Sequence, residues 1–201
     1  MKSRTILELT PRPLERVESD VAVAGFFSDE RPLRGGIARA DWRLCGGLSK
    51  RIESGDLSGD QGDALLMGCG RALRSPRLLV VGLGERHDFD LVRLSDEING
   101  ALRRCIGLRC FDIALSPLGI AGDDVPRHAP AIVAGIQEAC LAAHRTLRIR
   151  LCVQASEIPA IQRAFVAACD AARVEDIEVR VLTTPRPASP PGASAPSPAA
   201  F

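Results

Sequence analysis

At 201 residues, 46% hydrophobic and 25% charged, the chain has the size and composition of one globular domain, with no room for a second, catalytic one. Its 26 basic and 25 acidic residues leave a net charge of +1, so no global field directs it to nucleic acid or to an anionic membrane. A single tryptophan, Trp42, and no tyrosine exclude an aromatic platform for stacked bases.

The opening residues MKSRTILELTPRPLERV lack an apolar core of signal-peptide length. No later run reaches the roughly 18 to 20 apolar residues of a spanning helix, so a cytoplasmic protein is expected. A first strand over Thr5 to Leu9 stops at Pro11 and Pro13, and a second, almost wholly apolar, covers Asp20 to Phe27. Asp41 is placed to cap a helix running to about Glu53, with Leu44, Cys45, Leu48 and Ile52 on one face. Gly46 and Gly47 weaken that helix.

Asp63 to Met67 and Arg77 to Gly82 are apolar runs bounded by glycines, the pattern of buried parallel strands at the centre of a sheet. Arg71, Arg74 and Arg77 surround the turn between them and read as a solvated turn, since no aromatic residues interleave with them. Ser95, followed by Asp96 and Glu97, predicts a helix start, with Ile98, Ala101, Leu102, Cys105 and Ile106 on its buried face. Phe111 to Leu115 is the next strand, and Pro130 is read as opening a helix that buries Ile132, Ile136, Ala139, Cys140 and Ala143.

The alternation in Leu147 to Val153 predicts a strand with one open face, taken as an edge strand. A helix over about Glu157 to Arg173, with Ile161, Phe165, Ala168 and Ala172 in register, and a last strand over Ile177 to Leu182 complete the domain at 184. Residues 185–201, PRPASPPGASAPSPAAF, have too little apolar bulk to offset their ordering entropy and read as a disordered tail. Strands alternating with helices of ten or more residues call for a three-layer α/β/α domain around a mostly parallel sheet.

Three segments in this order and spacing resemble the amino-terminal, macro-domain-like domain of the leucyl (cytosol) aminopeptidase family: Asp41-Trp42-Arg43-Leu44, Val81-Gly82-Leu83-Gly84, and Ala134 to Ala139 leading into Leu141 to Arg145. His144 stands where that family usually shows an aromatic residue. The aminopeptidases hold two metal ions in a separate carboxy-terminal domain, with an Asn-Thr-Asp-Ala-Glu-Gly-Arg-Leu signature that has no counterpart here. The resemblance therefore implies a non-catalytic domain with no cofactor and no metal. It also implies a role in assembly or regulation, through self-association or a protein partner.

The fold also resembles macro domains, whose usual ligand is ADP-ribose. In that comparison Asp20 to Phe27 replaces the strand and loop that end in Asn-Ala-Ala-Asn, and Arg34-Gly35-Gly36-Ile37 resembles the glycine-rich segment after it. Neither asparagine is present, since the loop reads Ala24-Gly25-Phe26-Phe27. Ser116 to Gly122 corresponds to the second macro-domain loop. Its glycines could offer amides to a pyrophosphate, but Asp123 and Asp124 follow directly and would repel it. Ordinary ADP-ribose binding is disfavoured, which leaves the binding of a small phosphorylated ligand as the alternative function.

The candidate ligand-binding residues are accordingly Gly35, Gly36, Gly82, Gly84, Gly119 and Gly122. Gly82 and Gly84, with Arg86 beside them, could cradle an anion or could simply form a tight turn next to Glu85. Cys140 and His144, four apart on the predicted helix, could supply two metal ligands, short of the four a closed zinc site wants. The seven cysteines, scattered through apolar patterns, read as reduced core residues, not nucleophiles.

Overall fold

The computed structural model describes residues 4–182; the tail predicted over 185–201 lies outside them. Seven strands form one sheet: β1 (Thr5–Thr10), β2 (Val21–Phe26), β3 (Ala64–Gly68), β4 (Arg77–Gly82), β5 (Asp112–Leu115), β6 (Leu147–Cys152) and β7 (Ile177–Val181). Their order across the sheet is β3, β4, β2, β5, β6, β1, β7, and every pairing is parallel except β3 with β4. Five helices cover it: α1 (Gly35–Arg43), α2 (Gly47–Glu53), α3 (Leu91–Gly107), α4 (Val125–Ala142) and α5 (Ile158–Ala172). The expected α/β/α architecture is present.

Side-chain alternation along the strands divides the core in two. Leu7, Val23, Leu79, Ile113, Ile149 and Leu151 face α3, α4 and α5, with Ile98, Ile132, Ile136 and Phe165 packed on them. Ala22, Ala24, Leu78 and Val80 face the other way, under Ile37, Ala40 and Leu48 of α1 and α2. β2 is buried along its whole length, which explains its continuous apolar run. The α1/α2 layer stops short of the far strands. On that face β1, β5 and β6 carry an ionic cluster instead, where Arg150 reaches Glu8 (Nε–Oε2 3.1 Å) and Asp112 and donates to the carbonyl of Glu18 at 2.7 Å.

That cluster corrects the edge assignment of Leu147 to Val153. β6 lies inside the sheet, between β5 and β1. Its period of two records one polar face, a property that an interior strand with an uncovered face shares with an edge strand. The true edges are β7 and β3. β3 is neither central nor parallel: the turn Cys69–Pro76 joins it to β4, and a parallel crossover needs about a dozen residues or more.

Helix boundaries also move. The single helix expected from Asp41 to Glu53 is two, because Cys45 and Gly46 adopt positive φ (55° and 77°) and break it. Asp41 nevertheless caps a helix. From inside α1 its carboxylate accepts from the backbone N–H of Leu48 (2.8 Å) and Ser49 (3.2 Å) and from the Ser49 hydroxyl, satisfying the start of α2. Asp41→Ala should therefore cost about 1 kcal/mol, read as a lower urea midpoint with an unchanged m-value, while the Asn variant retains most of the stability.

α3 begins one turn before Ser95, capped by Asp90, whose Oδ1 accepts from Arg93 N at 2.8 Å. α4 begins at Val125, not Pro130. Pro126 occupies the first turn, where a missing N–H costs little, and Pro130 sits one turn further in. In α5 Ile161, Phe165 and Ala168 are buried as expected, but Ala172 is exposed at the last turn, where the helix ends with Arg173 in the left-handed conformation. Among the described residues no helix is long and apolar enough to cross a membrane.

Candidate functional site

A cleft of about 480 Å³ opens at the carboxyl ends of the parallel strands, where ligands bind in open α/β sheets because loops diverge and helices begin there. Its walls come from the residues after β1 (Pro11 to Pro13), β2 (Phe26, Phe27), β5 (Ser116, Pro117) and β6 (Val153, Gln154). The start of α1 closes one side, and the loop from Gly119 to Gly122 closes the other.

Four of the six candidate glycines line this cleft: Gly35, Gly36, Gly119 and Gly122. Arg34, at the head of α1, is extended and makes no side-chain cap, so among the described residues the first amides of the helix have no side-chain acceptor where the helix meets the cleft. A Cβ on Gly36 would stand 2.9 Å from that of Ser116, so this helix start packs directly on the loop after β5. Gly119 has φ +76°, and any side chain there would collide with the Phe27 ring at 2.5 Å.

Gly82 and Gly84 lie outside the cleft wall. They form the turn after β4, where Gly82 N donates to Asp63 O and Gly84 N to Gly59 O. A Cβ on Gly82 would come within 2.2 Å of the Asp60 carbonyl, so close packing of two backbones accounts for that glycine.

The charges lining the cleft are unevenly distributed. Arg12, Arg34, Arg39 and Arg86 stand with Glu30 and Glu157. Glu30 bridges Arg34 and Arg86 at 3.2 Å each, and Arg39 pairs with Glu15 at 3.4 Å. Arg86 also stacks 4.9 Å above Phe27, whose ring meets Phe89 edge-on at 5.0 Å. At the opposite end Glu157 accepts from Gln154 N and leaves no room for a Cβ on Gly122. With Asp123 and Asp124 beyond it, this end of the Ser116–Gly122 loop is acidic, while the α1 end carries the arginines and the positive end of the helix dipole.

Thiol chemistry has little footing in the cleft. No histidine lines it, and burial pushes its one thiol, Cys152, up to about 12, with nearby Arg39 only partly offsetting this. The expected helical pair of Cys140 and His144 is not formed. α4 ends at Ala142, leaving His144 exposed beyond it, while Cys140 is buried against the Thr5 hydroxyl at 2.9 Å. Among the described residues no group of three or more His, Cys, Asp or Glu side chains could hold a metal ion.

Arg12, Arg39, Glu30 and Glu157 are absent from the sequence-based candidates, since residues after β1 and before α5 meet the α1 start only through the strand order. The usable signal was general: ligands gather beyond the carboxyl ends of parallel strands, which would have drawn in the segments Pro11 to Pro13 and Gln154 to Glu157.

Comparison with solved structures places this architecture among two groups. A tomato leucine aminopeptidase mutant superposes with a TM-score of 0.61 at 14% identity, covering 85% of this chain and 37% of that one. The Oceanobacillus iheyensis macrodomain with ADP gives 0.63 at 10% identity over 80% and 90%. The macrodomain of Thermus aquaticus DarG gives 0.57 at 18% over 74% and 98%. These likenesses concern the fold.

In sequence, a probable cytosol aminopeptidase of Paraburkholderia phytofirmans is 29% identical over 105 residues, 50% of this chain and 20% of its own length. One from Burkholderia multivorans is 27% identical over 111 residues, 53% and 22%. The chain thus matches about a fifth of the length of these relatives. The model of the N-terminal domain of the cytosol aminopeptidase family matches residues 23–147, which include most of β2, all of β3 to β5, the α1 start and the Gly119–Gly122 loop. The chain therefore belongs to the cytosol aminopeptidase family, as a carrier of its N-terminal domain.

Proposed function

We propose that this domain is a non-catalytic binding module whose cleft takes a small phosphorylated, nucleotide-like ligand. The observation that carries the reading is the α1 start, with no side-chain cap, set in a cleft lined by Arg12, Arg34, Arg39 and Arg86. The phosphates would lie on the Gly35 and Gly36 amides, with Gly119 and Gly122 as the opposite wall. Gly82 and Gly84 belong to the β4 turn in this reading. The ADP of the Oceanobacillus iheyensis macrodomain, which shares this fold, supports the ligand class.

The distal ribose of ADP-ribose gains nothing here. Ala24 and Phe27, buried and apolar, stand where macro domains present asparagines, and groups that cannot hydrogen-bond confer no preference for a hydroxyl. Calorimetric titration should therefore give micromolar binding of ADP, with ADP-ribose bound at least about tenfold more weakly, because its distal hydroxyls lose water and find no partner. Arg34→Glu, at a side chain exposed in the free protein, should weaken both at least about tenfold. No heat from either ligand at high micromolar concentration would refute the proposal.

A second reading, that the domain serves assembly, has its own observation in the free edge of β3.

A further inference from the structure

We infer that two copies of this chain join edge to edge through β3, antiparallel about a two-fold axis at Leu66. This inference rests on the assembly reading and names its surface and partner. The hydrogen-bond pattern decides which groups face outward. Gly82 N donates to Asp63 O at 2.8 Å and Cys69 N to Pro76 O at 2.9 Å, in a register that opposes Leu66 to Leu79. Bonded and non-bonded positions alternate along an antiparallel pair. Asp63, Leu65, Met67 and Cys69 therefore turn their N–H and C=O groups to β4, and Ala64, Leu66 and Gly68 turn theirs to the open edge.

Sheet edges are ordinarily protected by charged side chains, prolines, bulges or a covering segment. The far edge follows this rule, since β7 carries Glu178 and Arg180. β3 reads Ala-Leu-Leu-Met-Gly, pairs with β4 without a bulge, and exposes Ala64, Leu66 and Gly68, with Leu66 at 42%. Pairing about Leu66 opposes Ala64 of each copy to Gly68 of the other, so every outward N–H and C=O of the three residues finds a partner. The two exposed Leu66 side chains then stand side by side on one face.

Charge selects a second copy, antiparallel, as the occupant. Asp60, in the turn before β3, and Arg71, in the turn after it, are both exposed, and neither side chain has an ion-pair or hydrogen-bond partner among the described residues. Antiparallel pairing sets the start of each β3 beside the end of the other, bringing Asp60 of one copy to Arg71 of its partner, twice by symmetry. A parallel arrangement would set like charges together.

Light scattering and sedimentation equilibrium on the full chain should show a monomer–dimer equilibrium. Leu66→Lys, at a position already exposed, should weaken the dimer at least tenfold with an unchanged circular dichroism spectrum. Asp60→Arg and Arg71→Asp should each weaken it severalfold, and the double variant should recover the wild-type constant. Amide exchange at Leu66 should slow as protein concentration rises. A dimer indifferent to Leu66→Lys and to the charge swap would overturn the β3 inference while leaving assembly through another surface standing. A monomer at every accessible concentration would overturn both, and neither outcome touches the ADP titration.

Discussion

Phe165→Ala is expected to cost about 3 to 5 kcal/mol, a large share of the stability of a domain of this size. The ring is fully buried on the inner face of α5, within the cluster that joins α4 and α5 to β1 and β6. Its removal forfeits the transfer free energy of the side chain and leaves a cavity that the surrounding cluster, which includes the fully buried Leu9, Ile161 and Leu151, relaxes only partly to fill. Chemical denaturation should show a lower midpoint with an unchanged m-value, and Tm should fall by roughly 6 to 20 °C. Phe165→Leu, which refills much of the space, should lose less than the alanine variant. A shift below about 1 kcal/mol for the alanine variant would show that α5 does not form part of a tightly packed core.

Arg150→Leu is the second large effect, about 3 kcal/mol at neutral pH. Arg150 is mostly buried and serves three acceptors on the open sheet face: Glu8, Asp112 and the Glu18 carbonyl. Its loss leaves buried Glu8, among the described residues, with one ion pair, to Arg148 at 3.9 Å, and Asp112 with the same arginine at 4.0 Å. An uncompensated buried carboxylate is costlier than the pair it came from.

The penalty should depend on pH in a stated direction. Burial raises the Asp112 carboxyl above its ordinary 3.8, and Arg150 holds it down only in part. A carboxyl raised on folding binds its proton more readily in the native state. Its contribution to stability is therefore full below 3.8 and is lost as pH rises through the folded value. Without Arg150 that folded value climbs further, so the variant loses more at neutral pH than the wild type. The gap between the two proteins should be widest near pH 7 and narrow steadily toward pH 4. A gap that stays constant across that range would show that Asp112 does not depend on Arg150.

Local chemistry made much of the fold legible. Strands β1, β2, β4 and β5 and the buried faces of α3, α4 and α5 follow from hydrophobic period alone, since each segment must hide its apolar side whatever lies next to it. The helix starts were less secure. Ser95 and Pro130 both suit a first turn, yet the chain begins α3 at Leu91 and α4 at Val125, because Asp90 caps one turn earlier and Pro126 supplies an earlier first turn. Gly46 announced a weakness near the end of α1, but only its left-handed conformation shows a break that lets Asp41 cap the next helix.

The candidate site divides in the same way. Gly35, Gly36, Gly119 and Gly122 were visible as loop glycines next to strand ends, and they meet in one cleft, whereas Gly82 and Gly84 carry the same local pattern, Gly82 packing against the Gly59–Asp60 backbone and Gly84 donating to the Gly59 carbonyl. Periodicity reports which face of a strand is apolar and is blind to what pairs along its edges. Hence Leu147–Cys152 looked like an edge while lying inside the sheet, and Ala64–Gly68 looked central while lying at its margin. By itself the sequence determined the α/β/α class and the apolar faces, because these rest on neighbours a few residues apart, and the family, because three segments carry its pattern in order and spacing. The strand order, the gathering of Arg12, Arg39 and Glu157 around the α1 start, and the open edge of β3 were decided by tertiary structure, because they depend on contacts between segments far apart in the chain.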